Sequence, residues 1–461
     1  MDPEIWMADF VYRGSQTALL LFDHCSTCQH FFKDDEEVIT GIYCLNTFNE
    51  VIQMTKTTER FLRYAKIDTM SEEGHTSTPS TVKQYDLARV LVDELKELGA
   101  SDVYLDEELC YVYATVPSNT CKKAAKLAFV AHMDTSPAVS DTDVKPVIIE
   151  NYQGQDIEMG TDSRILSPKD YPSLLNYIGQ TIICSDGSTL LGSDDKSGIA
   201  IIMSLVEYLL SHPEVKHGDI KVAFTPDEEV GMGVSGLDYK RLDADFGYTI
   251  DGGQLGDVNF ECFNAASGAV KVNGLSIHPG SAKGKMKNAV RIAMEFDSML
   301  PKAESPEFTE GYEGFYHLDH FAGDCDEAEM AYILRDHDGK VLEHRKEIFK
   351  AAADYLNAKY GENTVEVDIR DSYRNMREVI EKHYHLIENA CKAFETYGIK
   401  PMISPIRGGT DGATMSFNGV PCPNLSAGGH NCHGRYEYVC AESMDKMVDV
   451  LLEIVKLYEA M

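Results

Sequence analysis

Three short apolar runs constrain the fold of this chain. Leu127-Ala-Phe-Val-Ala131 leads straight into His132, Lys221-Val-Ala-Phe-Thr225 into Pro226-Asp227-Glu228-Glu229, and Tyr248-Thr-Ile250 into Asp251. Runs of this length and composition are strands buried on both faces, the texture of parallel sheets. Between them, Gly198 to Leu210 is apolar enough for a buried helix, while Leu87, Val90, Leu91, Leu95 and Leu98 fall at helical spacing before a closing Gly99. Strands alternating with helices predict an α/β domain with a mostly parallel mixed sheet flanked by helices. In open sheets of that kind the carboxyl ends of the strands host the site, so the His and acids that follow the runs are expected along one edge.

Near residue 262 the texture changes. Ala269-Val-Lys-Val-Asn273 and Val365-Glu-Val-Asp-Ile369 alternate with period two, as half-exposed antiparallel strands do. Helical stretches at 286–300 and 341–359 lie between them. The expectation is an inserted α+β domain over 263–375, set between two parts of one α/β domain at 54–262 and 376–461. The second part ends in an amphipathic helix with Met444, Met447, Val448, Leu451, Leu452 and Val455. Residues 1–53 differ: they hold the only Trp, Trp6, and no sustained periodicity. Their His24-Cys25-x-x-Cys28-x-His30 cluster is too crowded for an ordinary zinc-finger spacing. An atypical extension is expected there, either a peripheral addition or a disordered arm. Met54 reads like a natural start, which makes a misplaced initiation codon a hypothesis that the N-terminal mass of the natural protein tests.

Charge excludes some functions. The 461 residues carry 75 Asp and Glu against 42 Lys and Arg, a net charge of -33. Such a field repels nucleic-acid phosphates and anionic membranes. No apolar run reaches the roughly 18 residues of a membrane-spanning helix. Met1-Asp2-Pro3-Glu4 lacks the basic start of a secretory signal, and Leu19 to Phe22 is too short for its apolar core. The 12 cysteines are scattered rather than patterned, which favours a reduced, cytoplasmic protein.

The polar residues after the strands carry the chemistry. In His132-Met133-Asp134, the i, i+2 spacing points both side chains one way if the strand continues, so that a carboxylate holds the imidazole tautomer presented to a metal. The plainer alternative is a hydrogen-bonded His with a capping Asp. Gly192-Ser193-Asp194-Asp195-Lys196-Ser197-Gly198 precedes the buried helix; its acids suit either a helix N-terminus or a carboxylate bridging two cations. Asp227, Glu228 and Glu229 repel one another unless at least one binds a cation and another acts as a base. Asp251-Gly252-Gly253 adds a carboxylate, and Asn431-Cys432-His433-Gly434 a second imidazole in a Gly-rich loop. Mixed His and carboxylate donors suit zinc, and also manganese or cobalt.

Taken in order, His132-x-Asp134, Gly192-x-Asp194-Asp195-Lys196-x-Gly198, Asp227-Glu228-Glu229-x-Gly231, Asp251-Gly252-Gly253, His278-Pro279-Gly280 and Arg407-Gly408-Gly409-Thr410-Asp411-Gly412 resemble the peptidase T family. These are tripeptide aminopeptidases of the co-catalytic zinc peptidase and aminoacylase group. The resemblance runs from Thr57 to the C-terminus and leaves residues 1–53 outside. It implies two Zn2+ per subunit, replaceable by Co2+ or Mn2+, with His132, Asp194 and Asp251 on one ion and Asp194, Glu229 and His433 on the other. It further implies that Asp134 orients His132, and that Glu228 moves a proton from the attacking water to the leaving amine. For the substrate it implies contact of His278 with the reacting carbonyl. Arg407 suits a peptide carboxylate, as does Arg335 from a closing lid, with an ion pair to Asp336 or Asp338 as Arg335's bland alternative. The resemblance also implies that 54–262 and 376–461 form a catalytic domain and 263–375 a lid and dimerisation domain, through which the chain forms a homodimer. Rival readings are a sister dipeptidase, carboxypeptidase or aminoacylase, or a non-catalytic metal-binding assembly protein; an intact Glu228 argues against the last.

Overall fold

The computed structural model describes residues 54–160 and 162–460, so the His24–His30 cluster and the 1–53 extension lie outside the described residues. An eight-stranded sheet runs in the order Ser101–Leu105, Val112–Val116, Ile220–Thr225, Leu127–His132, Phe246–Gly252, Asn424–Ser426, Asp257–Asn259, Met402–Ile403. Leu127–His132 is parallel to both neighbours, and Asn424–Ser426 is parallel to Phe246–Gly252. Antiparallel pairs nearer the edges make the sheet mixed. All of Leu127–His132 and Ile220–Thr225 is buried, as near-continuous apolar runs require.

Register brings the polar residues together. Leu127 pairs with Phe246 and Val130 with Thr249; two residues further, the same register sets His132 beside Asp251. On the other flank His132 pairs with Thr225, so the Pro226–Glu229 turn leaves the sheet next to it. The helix Ser193–Ser211 packs against Leu127–His132 and is buried along most of its length. Its approach depends on Gly198, where a Cβ would lie 1.9 Å from the Ile250 carbonyl oxygen.

A second sheet is antiparallel throughout, in the order Phe315–Gly323, Glu327–Asp336, Asn264–Asn273, Val365–Asp371. The helices Ala289–Met299 and Gly339–Tyr360 pack on it over a core that includes Val270, Phe296, Tyr332, Phe349 and Leu356. The strands Phe315–Gly323 and Glu327–Asp336 are absent from the sequence reading. In Glu327–Asp336 the signal was present: Ala328, Met330, Tyr332 and Leu334 alternate and are buried. Phe315–Gly323 has no such alternation, and a register shift between Leu318 and His320 breaks its pairing. The two chain crossings between the sheets are hydrogen-bonded to each other, Ala265 N–H to the Tyr373 carbonyl at 3.0 Å and Ser372 N–H to the Ala265 carbonyl at 2.9 Å.

A small sheet orders Gly429–His430, Tyr438–Cys440, Ile182–Ser185 and Pro146–Ile149. Its terminal hairpin holds residues 431–437 as a loop that carries His433. No helix of the described residues is long and apolar enough to cross a membrane.

Candidate metal centre and active site

Asp194 stands between two imidazoles. Its Oδ1 lies 2.9 Å from His132 Nε2 and its Oδ2 lies 3.3 Å from His433 Nε2. His132 Nε2 also faces Asp251 Oδ1 at 3.6 Å, and His433 Nε2 faces Glu229 Oε2 at 2.8 Å. One carboxylate thus has an oxygen toward each of two donor groups.

The backbone around these side chains is held by further carboxylates. His132 Nδ1 lies 3.0 Å from the Asp134 carbonyl oxygen, the geometry in which Nδ1 donates and Nε2 keeps its lone pair for the cluster. The Asp134 carboxylate lies 3.4 Å from the same nitrogen. It also accepts the backbone N–H groups of Glu228 at 2.9 Å and Glu229 at 3.2 Å. Asp134 therefore aims two chain segments, the strand end and the Glu228–Glu229 turn. Asp227 starts that turn in a left-handed conformation, φ 58°, which Asp tolerates better than most residues. Its carboxylate accepts Ser80 N–H at 2.7 Å, the Ser80 hydroxyl at 2.6 Å and Gln84 Nε2 at 2.7 Å. Asp195 accepts the His132 N–H at 3.3 Å and the Gly198 N–H at 3.1 Å, joining strand end to helix start.

The electrostatics call for cations. Burial pushes Glu229 up to about 7, helped by the Asp194 charge, and pushes Asp251 up to about 6. Burial and then the Asp251 charge hold Glu228 well above the usual carboxylate range. Asp194 moves the other way: burial opposes its charge, but hydrogen bonds from His132 and His433 win and hold it well below that range. The hydrogen bonds that His433 donates to Asp194 and Glu229 raise it to about 11. Glu229 Oε1 is buried with no hydrogen-bond partner, a cost that a bound cation removes. Ligand atoms of His132, Asp194 and Glu229 lie within 4.8 Å of one another, as do those of His132, Asp195 and Asp251. Imidazole and carboxylate donors in this arrangement fit divalent metal ions.

The three substrate candidates are placed differently. Arg335 donates to the Arg407 carbonyl oxygen at 3.2 Å while its Nε is buried without a partner. It makes no ion pair with Asp336, which holds Arg345 at 3.0 Å, or with Asp338, which caps the helix Gly339–Tyr360. Arg407 directs its guanidinium at the carbonyls of Gly311 at 2.7 Å, Glu313 at 3.0 Å and Thr309 at 3.3 Å. Both guanidiniums lie near the Phe315 ring, at 5.8 and 5.7 Å. His278 is exposed and accepts the Gly280 N–H, apart from these contacts. Sequence reasoning gave no role to Tyr373, whose buried hydroxyl has no partner and whose ring lies 6.0 Å from the Arg335 guanidinium. It also missed Glu437, a lone acid between two tyrosines with no local pattern to mark it.

Residues 192–457, more than half of the chain, match the model of peptidase family M20/M25/M40. The chain belongs to that family. Within it, the sequence is 53% identical over 406 residues to a peptidase T from Caldanaerobacter subterraneus subsp. tengcongensis, covering 88% of this chain and 99% of the relative. The fold is similar to that of the aminopeptidase PepT from Bacillus cereus, with a TM-score of 0.70 at 21% identity, covering 88% of this chain and 99% of the other. A tripeptidase from Staphylococcus aureus is similar too, with a TM-score of 0.69 at 22% identity over 88% of this chain and all of the other. As an M20/M25/M40 member the chain is a metal-dependent hydrolase.

Proposed function

We propose that this chain is a tripeptide aminopeptidase that releases the N-terminal residue of tripeptides at a two-zinc centre. The observation that carries the reading is Asp194, a single carboxylate with one oxygen toward His132 and the other toward His433. On this reading His132, Asp194 and Asp251 hold one ion, and Asp194, Glu229 and His433 the other. When bound, the ions supply Lewis acidity that acidifies a water and polarises the scissile carbonyl.

The chain's own residues do the rest. Glu228 takes the proton of the attacking water on its carboxylate and delivers it to the leaving amine. Asp134 holds Glu228 at the reaction and Glu229 at the metal by their backbone N–H groups. The free Nε of Arg335 receives the substrate carboxylate. Arg407, already bonded to three carbonyls, acts by shaping the 309–313 loop that borders the same place. His278, which accepts the Gly280 N–H within its own turn, contacts the reacting carbonyl on this reading.

In this reading 54–262 and 376–461 form the catalytic domain and 263–375 the lid, joined at the paired crossings Ala265 and Tyr373. A homodimer through 263–375 is supported by the edge strand Phe315–Gly323, exposed from Asp319 to Gly323 and, among the described residues, unpaired on its outer side. A cytoplasmic location is supported by the described cysteines, all of which are free.

Zinc content per chain, measured beside hydrolysis of a free tripeptide, its dipeptide and its N-acetylated form, tests the proposal. Two zincs with cleavage of the free tripeptide to an amino acid and a dipeptide are expected. Preference for dipeptides or for the acetylated form would move the activity to a sister enzyme. No zinc and no hydrolysis after reconstitution would refute it.

A further inference from the structure

We infer that Glu437 is a positioning residue for the metal centre, tying the chain segment of Asp194 to that of His433; the inference rests on the two-zinc reading above. Glu437 is 1% exposed, and its carboxylate is filled by one loop. Oε2 accepts the Leu191 N–H at 2.6 Å and the Gly192 N–H at 2.9 Å. Oε1 accepts the Ser193 hydroxyl at 2.6 Å and the Asp194 N–H at 3.1 Å.

These donors need an outside partner. The first N–H groups of a helix have no acceptor within it, and here Asp194 and Asp195 leave helical geometry altogether. Gly192 is left-handed at φ 77°, so the segment turns sharply just where the shared ligand must be aimed. The carboxylate that satisfies this turn comes from residues 431–437, the loop that also presents His433. It is stitched beside Ile182–Ser185 by the neighbouring strand Tyr438–Cys440. Four residues from His433, Glu437 therefore fixes the distance between the two segments, and with it the 3.3 Å approach of His433 Nε2 to Asp194 Oδ2.

A purely structural cap would lower the melting temperature and leave metal affinity alone; a positioning residue changes metal affinity. The experiment is zinc titration of metal-free protein against a competing chelator, with kcat and KM on a tripeptide at saturating zinc. Glu437→Gln keeps the shape but turns an NH2 toward N–H donors. It is expected to weaken zinc binding about 10–100-fold and to lower kcat with KM within about twofold. Ser193→Ala removes one of the four donors and is expected to weaken zinc binding about threefold. Unchanged zinc affinity in Glu437→Gln, or in Ser193→Ala should the Gln variant not fold, overturns the inference whatever the melting temperature does. Wild-type protein that binds no zinc overturns the two-zinc reading and this inference together, whereas wild-type binding with an unaffected variant overturns this one alone.

Discussion

Replacing Asp134 by Asn isolates what its carboxylate does for the active-site turn. Asp134 is fully buried and accepts two backbone N–H groups, from Glu228 at 2.9 Å and from Glu229 at 3.2 Å. Asn has the same shape but one oxygen. One of the two bonds is lost, worth about 1.5–3 kcal/mol for a charged acceptor, and the new NH2 faces an N–H left without a partner, a further cost of about 1–3 kcal/mol. Relief comes only if the turn moves, and the turn carries both Glu228 and Glu229. A distortion of about 3–5 kcal/mol at the reacting geometry corresponds to a loss in kcat of about two to four orders of magnitude. The assay is steady-state hydrolysis of a tripeptide at saturating zinc, with circular dichroism to verify folding and zinc analysis to verify loading. A folded, zinc-loaded Asp134→Asn protein with kcat within threefold of wild type would refute the reasoning, because the turn would then hold its place without the second bond.

Glu228→Ala is expected to lower kcat by about 10²–10⁴-fold while both metals stay bound, since Glu228 moves protons and is not a ligand on this reading; loss of a metal on dialysis would make it a ligand instead. Phe349→Ala removes a ring that is 0% exposed and packed edge-on against Phe296 and Tyr332 at 4.9 and 5.2 Å. It should cost about 3–5 kcal/mol in denaturant unfolding, and a change below about 1 kcal/mol would mean the site collapses freely. His430, stacked on Tyr438 at 4.7 Å, is held down to about 4 by burial. Its folded pKa lies below the unfolded value of 6.5, so above that value it costs nothing. As pH falls from 6.5 toward 4, the unfolded chain gains a proton that the folded chain refuses. Urea unfolding at pH 7 and pH 5 should show a His430→Gln variant improving against wild type by about 2 kcal/mol at the lower pH; an unchanged difference would show that His430 titrates normally.

Much of this protein can be read from local sequence. The runs at 127–131, 221–225 and 248–250 determine buried strands because apolar residues dominate them without a regular polar alternation, and the acids that follow them have to lie at strand ends. The order of motifs identifies the family, and the spacing of Leu87 to Leu98 before Gly99 sets a helix that the structure closes at a left-handed Gly99. Tertiary structure alone decided the rest, because it depends on which distant segments become neighbours. Only the parallel register places His132 beside Asp251, and only the hairpin beside Ile182–Ser185 carries His433 to Asp194. Arg407 reads locally as a free anion fork, yet three carbonyls from 309–313 occupy it. Glu437 reads as nothing in particular, and becomes the acceptor of four donors nearly 250 residues away. Local pattern reports the state of a segment; the partner of a buried polar group is a long-range fact, set by where the packed core brings another segment past it.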